Sequence, residues 1–104
     1  MPLIPEDQFS KSLLDADRDP FFCADINDAA MSDLMFVPRL GPFAKEKLND
    51  AGITTVKQLI GMFLVKQTPD AFKEWLEGTG VQASTSVSGA ITIMINNYCA
   101  QNNL

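Results

Sequence analysis

"VPRLGPFAKEKLNDAG", Val37 to Gly52, is the stretch whose reading decides the fold. Pro42 suits the first turn of a helix, where a missing N–H is no loss. Ala44, Leu48 and Ala51 then recur at i, i+4 and i+7 as an apolar stripe, and Gly52 supplies a C-terminal cap. A tight turn at Leu40-Gly41 stands immediately before this helix. The stretch therefore reads as the turn and second helix of a helix–hairpin–helix.

Downstream the helical pattern continues. Thr54 or Thr55 can cap a helix through Val56, Leu59, Ile60, Phe63 and Leu64. Thr68-Pro69 is a cap followed by an N1 proline, opening a helix that carries Phe72, Trp75 and Leu76 and stops at Gly78. "GTGVQASTS" is a loop. From about Ser86 to the C-terminus, Val87, Ala90 or Ile91, Met94 or Ile95, and Tyr98 keep helical spacing. "AITIMI" has β-branched residues, but stripe and length favour helix. Upstream, "PEDQFSKSLLDA" forms a helix ended near Asp19-Pro20, and "NDAAMSDLMF" another, capped by Asn27 or Asp28. The expected fold is an all-α, compact bundle of about five helices.

The net charge of −5 over 104 residues is a misleading average. Residues 1–36 hold eight acids against Lys11 and Arg18, a balance of −6, whereas residues 37–104 hold five acids against six bases. Between Arg39 and Lys66 the balance is +3. The chain divides into an acidic N-terminal helical segment, 1–36, and a helix–hairpin–helix domain, 37–104, within one domain overall.

Several function classes drop out. No unbroken apolar run is longer than Met62 to Val65, which is far too short to span a bilayer. The N-terminus has neither a basic region nor a long apolar region, so no signal peptide is expected. The absence of histidine removes Ser-His-Asp and Cys-His nucleophile systems and the commonest zinc ligand. Asp15, Asp17 and Asp19 have the alternation of a calcium loop but lack its glycine and closing glutamate, and read as a solvated helix end. No Gly-rich nucleotide loop appears. We expect no catalytic residue, no metal and no cofactor. Cys23 and Cys99 belong to no paired motif and read as buried free thiols.

What remains is the hairpin. The first N–H groups of a helix lack intrahelical partners, and the helix dipole adds partial positive charge there. A phosphate oxygen fits that position without any readout of sequence. Gly41, Phe43 and Ala44 are the candidate N–H donors, and Lys47 lies one turn beyond Phe43 on the same flank. Such a grip uses mostly uncharged amides, so an acidic chain can carry it. A hairpin of this kind has glycine two positions before Gly41, where this chain has Arg39. If that position needs positive φ, arginine is strained there; alternatively it adds a phosphate contact.

"GITTVKQLIGMFLV", then "DAFKEWL" and a Gly-containing loop, resembles the barrier-to-autointegration factor family in order and spacing, over about residues 37–80. The final helix is similar in position and length. The resemblance implies a small all-helical nuclear homodimer, associated with chromatin, that binds double-stranded DNA without sequence preference and bridges two duplexes. It further implies a groove for LEM-domain-type proteins. By resemblance, Arg39, Leu40, Gly41, Phe43, Ala44, Lys47 and Ser84 are DNA-contacting positions. Ile60, Gly61 and Trp75 fall at the dimer interface, and Phe63, Leu64 and Val65 where the partner groove forms. Independently, Phe63, Leu64, Phe72, Trp75, Ile91, Ile95 and Tyr98 offer more apolar surface than a small unit covers easily, for which a homodimer is one solution and a monomer core another. The alternative function is a dimeric protein-interaction module of the same family that has lost DNA binding through Arg39, Ser84 and the acidic segment.

Overall fold

The computed structural model describes residues 20–81, 87–102 and 104. Helices and turns account for all of their regular structure, with no strand among them. A helical turn at 20–23 and two 3-10 turns, Ala29–Ser32 and Leu34–Phe36, lead into α1 (Pro42–Asp50), α2 (Val56–Lys66), α3 (Pro69–Gly78) and α4 (Val87–Gln101). No helix among the described residues is long and apolar enough to cross a membrane.

Local chemistry sets these boundaries. Thr55 caps α2 in a reciprocal box with Gln58, which returns its Oε1 to the N–H of Thr55 at 3.3 Å and of Thr54 at 2.7 Å. Thr68 caps α3 by accepting from the Ala71 N–H, with Pro69 at N1. Both α1 and α3 end in the same glycine-closed motif. In α1 the Ile53 N–H donates to Leu48 O and the Gly52 N–H to Asn49 O. In α3 the Val81 N–H donates to Leu76 O and the Gly80 N–H to Glu77 O. Gly52 (φ +90°) and Gly80 (φ +105°) occupy equivalent left-handed positions.

Residues 27–36 depart from the expected single helix. Asp28 accepts from the Ala30 N–H at 2.9 Å, and Asp33 from the Met35 N–H at 3.0 Å. Each carboxylate captures an amide two residues on and restarts the chain as a separate 3-10 turn. The apolar stripe of α1 is also shorter than expected, because Ala51 is the exposed cap and Ile53 takes the next buried place.

α4 is the central rod. Residues 90–99 are buried on every side, and the helix packs against α3 and α2. Two of its buried polar side chains bond within the helix: Thr92 Oγ1 donates to Ser88 O at 2.8 Å, and Asn96 Nδ2 to Asn97 Oδ1 at 3.0 Å. Tyr98 reaches across the chain, its hydroxyl donating to Ala24 O at 2.7 Å and its ring lying 5.0 Å from that of Phe21. Phe21, Met31 and Leu34 thus share one core with Phe63, Phe72, Leu76 and Ile91. Phe63 meets Phe72 edge-on at 5.2 Å between centroids. Of the seven apolar residues thought hard to cover, a single chain buries Phe63, Phe72, Ile91, Ile95 and Tyr98; Trp75 is partly covered and Leu64 exposed.

Cys99 is buried as expected, but Cys23 is exposed, and both are free. The helical turn points Cys23 outward while its neighbour Phe21 is inserted into the core. The expected helix over "PEDQFSKSLLDA" and the aspartates Asp15, Asp17 and Asp19 lie outside the described residues.

Candidate nucleic-acid interface

The turn before α1 is anchored from below. Val37 and Leu40 are buried, the Leu40 N–H donates to Val37 O at 3.1 Å, and Arg39 between them is forced into the left-handed region at φ +73°. The backbone shape that favours glycine is therefore present with arginine in it. The left-handed region costs an L side chain about 1–2 kcal/mol, here offset by the burial of its neighbours.

Gly41 follows as the extended N-cap of α1 and offers no side-chain cap. The first intrahelical bond runs from the Lys45 N–H to Gly41 O at 3.0 Å. The N–H groups of Phe43 and Ala44 consequently point off the helix end with no intrahelical acceptor, at the positive end of the helix dipole. Glycine at the cap places no side chain of its own over these amides.

Arg39, Gly41, Pro42, Phe43, Ala44 and Val87 line a depression of about 420 Å³. Arg39 and Phe43 are exposed, and among the described residues no acidic one belongs to this lining. Lys47, one turn on from Phe43, holds its Nζ 5.2 Å from the centre of the Phe43 ring, within cation–π range. The far wall comes from α4. Ser88 Oγ donates to Glu77 Oε2 at 2.8 Å, and the same oxygen takes the Lys73 ammonium at 2.8 Å. The Lys73 ammonium and then the Ser88 hydroxyl hold the Glu77 carboxyl below its ordinary range. This clamp fixes the first turn of α4, and with it Val87.

Of the residues expected to contact DNA, Arg39, Gly41, Phe43 and Ala44 surround one depression and Lys47 stands beside it. Leu40 is buried. Ser84 lies outside the described residues. Val87 was missed by sequence reasoning, which saw it only as one apolar residue of a stripe.

A second surface lies on α2. Gly61, Leu64 and Val65, at i, i+3 and i+4, are all exposed, Val65 at 71%. A Cβ built on Gly61 meets nothing within 4 Å among the described residues, so no contact with them requires a glycine there. Trp75 is partly buried against Phe72 at 5.7 Å. Ile60 and Phe63 point inward and are buried, so they support this face from beneath.

No curated protein and no solved structure matches the chain. A model of the family described as barrier to autointegration factor matches residues 19–102, extending well to the N-terminal side of the motifs in 37–80. The chain belongs to the barrier-to-autointegration factor family.

Proposed function

We propose that this chain is a non-catalytic protein that binds double-stranded DNA through its phosphate backbone and bridges duplexes as a chromatin-associated nuclear homodimer. The observation that carries the reading is the N-terminus of α1, which has no side-chain cap, with Arg39 and Lys47 beside it and no acidic lining residue among those described. Donors of this kind grip any duplex alike, since backbone amides and ammonium groups at phosphates carry no base information. Arg39, Gly41, Phe43, Ala44 and Lys47 form the core of the grip; the Leu40 backbone and Ser84 extend it.

Bridging needs two grips. A contact through Gly61 and Trp75, backed by Ile60, joins two chains in this reading. The absence of a side chain at Gly61 lets two helix backbones approach closely. Leu64 and Val65, over Phe63, leave an apolar surface for a LEM-domain-type partner. That surface also favours the second reading, a dimeric interaction module without DNA affinity, because exposed apolar residues at helical spacing serve a protein partner whether or not DNA binds.

The deciding experiment is a gel shift with unrelated duplex sequences at low salt. We expect equal affinities, a salt slope of roughly −2 to −3 per subunit, and a slope shallower by about 0.9 in Lys47→Ala. A truncation starting at residue 19 tests the acidic segment while keeping Phe21 and the Ala24 carbonyl that Tyr98 bonds. No duplex binding by either protein would leave the interaction module standing. Strong preference for one duplex would contradict a backbone grip.

A further inference from the structure

Lys47 is held in place from two sides. Its ammonium lies over the Phe43 ring, and its aliphatic stem lies on the backbone of Gly80 in the turn after α3. A Cβ built on Gly80 would stand 3.1 Å from Lys47 Cδ, 3.4 Å from Cγ and 3.5 Å from Cε. Three successive carbons of one side chain therefore run along the space a side chain at position 80 would fill. A lysine stem is otherwise free to rotate, and laying it along a bare backbone removes much of that freedom before a ligand arrives.

We propose that Gly80 is a positioning residue for Lys47: its bare backbone is the shelf that directs the lysine stem toward Phe43 and sets the ammonium beside the depression at the start of α1. The claim about DNA rests on the reading of Lys47 as a phosphate contact, whereas the claim about position does not.

The chain contains its own control. Gly52 and Gly80 close α1 and α3 with the same pair of hydrogen bonds, and both have positive φ. A Cβ on Gly52 meets nothing within 4 Å. Alanine at either position incurs similar backbone strain, but only Gly80→Ala disturbs Lys47. Should Gly80→Ala fail to fold, Gly80→Asn keeps a Cβ on a residue that tolerates positive φ better.

Two measurements test the proposal. Without DNA, the Lys47 methylene protons feel the Phe43 ring current, and NMR reads their upfield shift. The shift should shrink in Gly80→Ala or Gly80→Asn and persist in Gly52→Ala. With duplex DNA, the position 80 variant should bind more weakly and with a salt slope shallower by up to about 0.9, the contribution of one phosphate contact. Gly52→Ala should bind as wild type. In a Lys47→Ala background the position 80 substitution should have no further effect on binding. An unchanged Lys47 shift in the position 80 variants overturns the proposal, and so does an equal binding loss with and without Lys47. If no variant and no wild-type protein binds duplex, the DNA reading fails, and the NMR comparison still decides the role of Gly80.

Discussion

Arg39 offers a test in which backbone and charge move in opposite directions. Its φ of +73° places an L side chain in the left-handed region, at a cost of about 1–2 kcal/mol. The informative comparison is Arg39→Gly against Arg39→Ala, because both remove the guanidinium and whatever it engages. At an ordinary position alanine is the more stable of the two by about 0.4–1 kcal/mol, since glycine loses more freedom on folding. Here relief of the left-handed strain outweighs that term, and glycine should exceed alanine by roughly 0.5–1 kcal/mol. For a domain of this size, that corresponds to about 3–6 °C in Tm. Paired thermal and urea melts measure the difference. In duplex binding both variants should have a salt slope shallower by about 0.9 than wild type. Thus Arg39→Gly relieves strain in the turn and weakens the grip. Alanine more stable than glycine would refute the turn geometry, and an unchanged salt slope in both would refute a phosphate contact by Arg39.

The core, the exposed thiol and the α2 surface give four other predictions. Tyr98→Phe keeps the ring against Phe21 but leaves the Ala24 carbonyl without its 2.7 Å donor; we expect a loss of about 1–2 kcal/mol, read by urea melts, and faster amide exchange across residues 20–28. Cys23 should react with an alkylating reagent in the folded protein while Cys99 resists it, as mass spectrometry of peptides would show. Burial pushes the Cys99 thiol up to about 11 from 9.0, so its contribution to stability is full below about pH 9 and is lost as pH rises through 11. Burial first, and Asp25 next, also raise the Tyr98 pKa, with the same sign. Cys99→Ala should flatten the alkaline melting profile, and an unflattened profile would remove Cys99 as a cause. Gly61→Glu should yield monomers by light scattering at tens of micromolar, against a wild-type dimer, because the carboxylate would enter an apolar contact; a monomeric wild type would dismiss the dimer.

Local signals were readable wherever a short-range hydrogen bond or a fixed φ decides the outcome. Pro42, Thr55, Thr68, Pro69 and Gly52 mark helix ends in the sequence, and the helices begin and end beside them. Residues 27–36 misled because Asp28 and Asp33 fit a helix start equally well, and only the structure shows both capturing an amide two residues on. The burial of α4 on all sides was unreadable for a different reason. Its periodicity reports one apolar stripe, whereas its other faces are covered by distant partners such as Phe21. The site divides in the same way. Phe43 and Lys47 are four residues apart on one helix and could be paired from spacing, but the approach of Gly80 to Lys47 depends on how α3 ends against α1.

The central place of α4 has a consequence for how the chain is made. Synthesis runs from the N-terminus, so α4 leaves the ribosome after every element that must surround it. Until then Phe21, Phe63, Phe72 and Leu76 have no rod to close upon, and their apolar faces stay open to solvent and to other nascent chains. The tie from Tyr98 to Ala24 spans 74 positions, so the earliest residues of the core wait for nearly the last. Contacts of that separation slow folding relative to a simple up-and-down bundle. A chain terminated before Val87 would carry the gripping residues of α1 and the α2 surface in its sequence, but would lose both the Val87 wall of the depression and the rod its core closes upon.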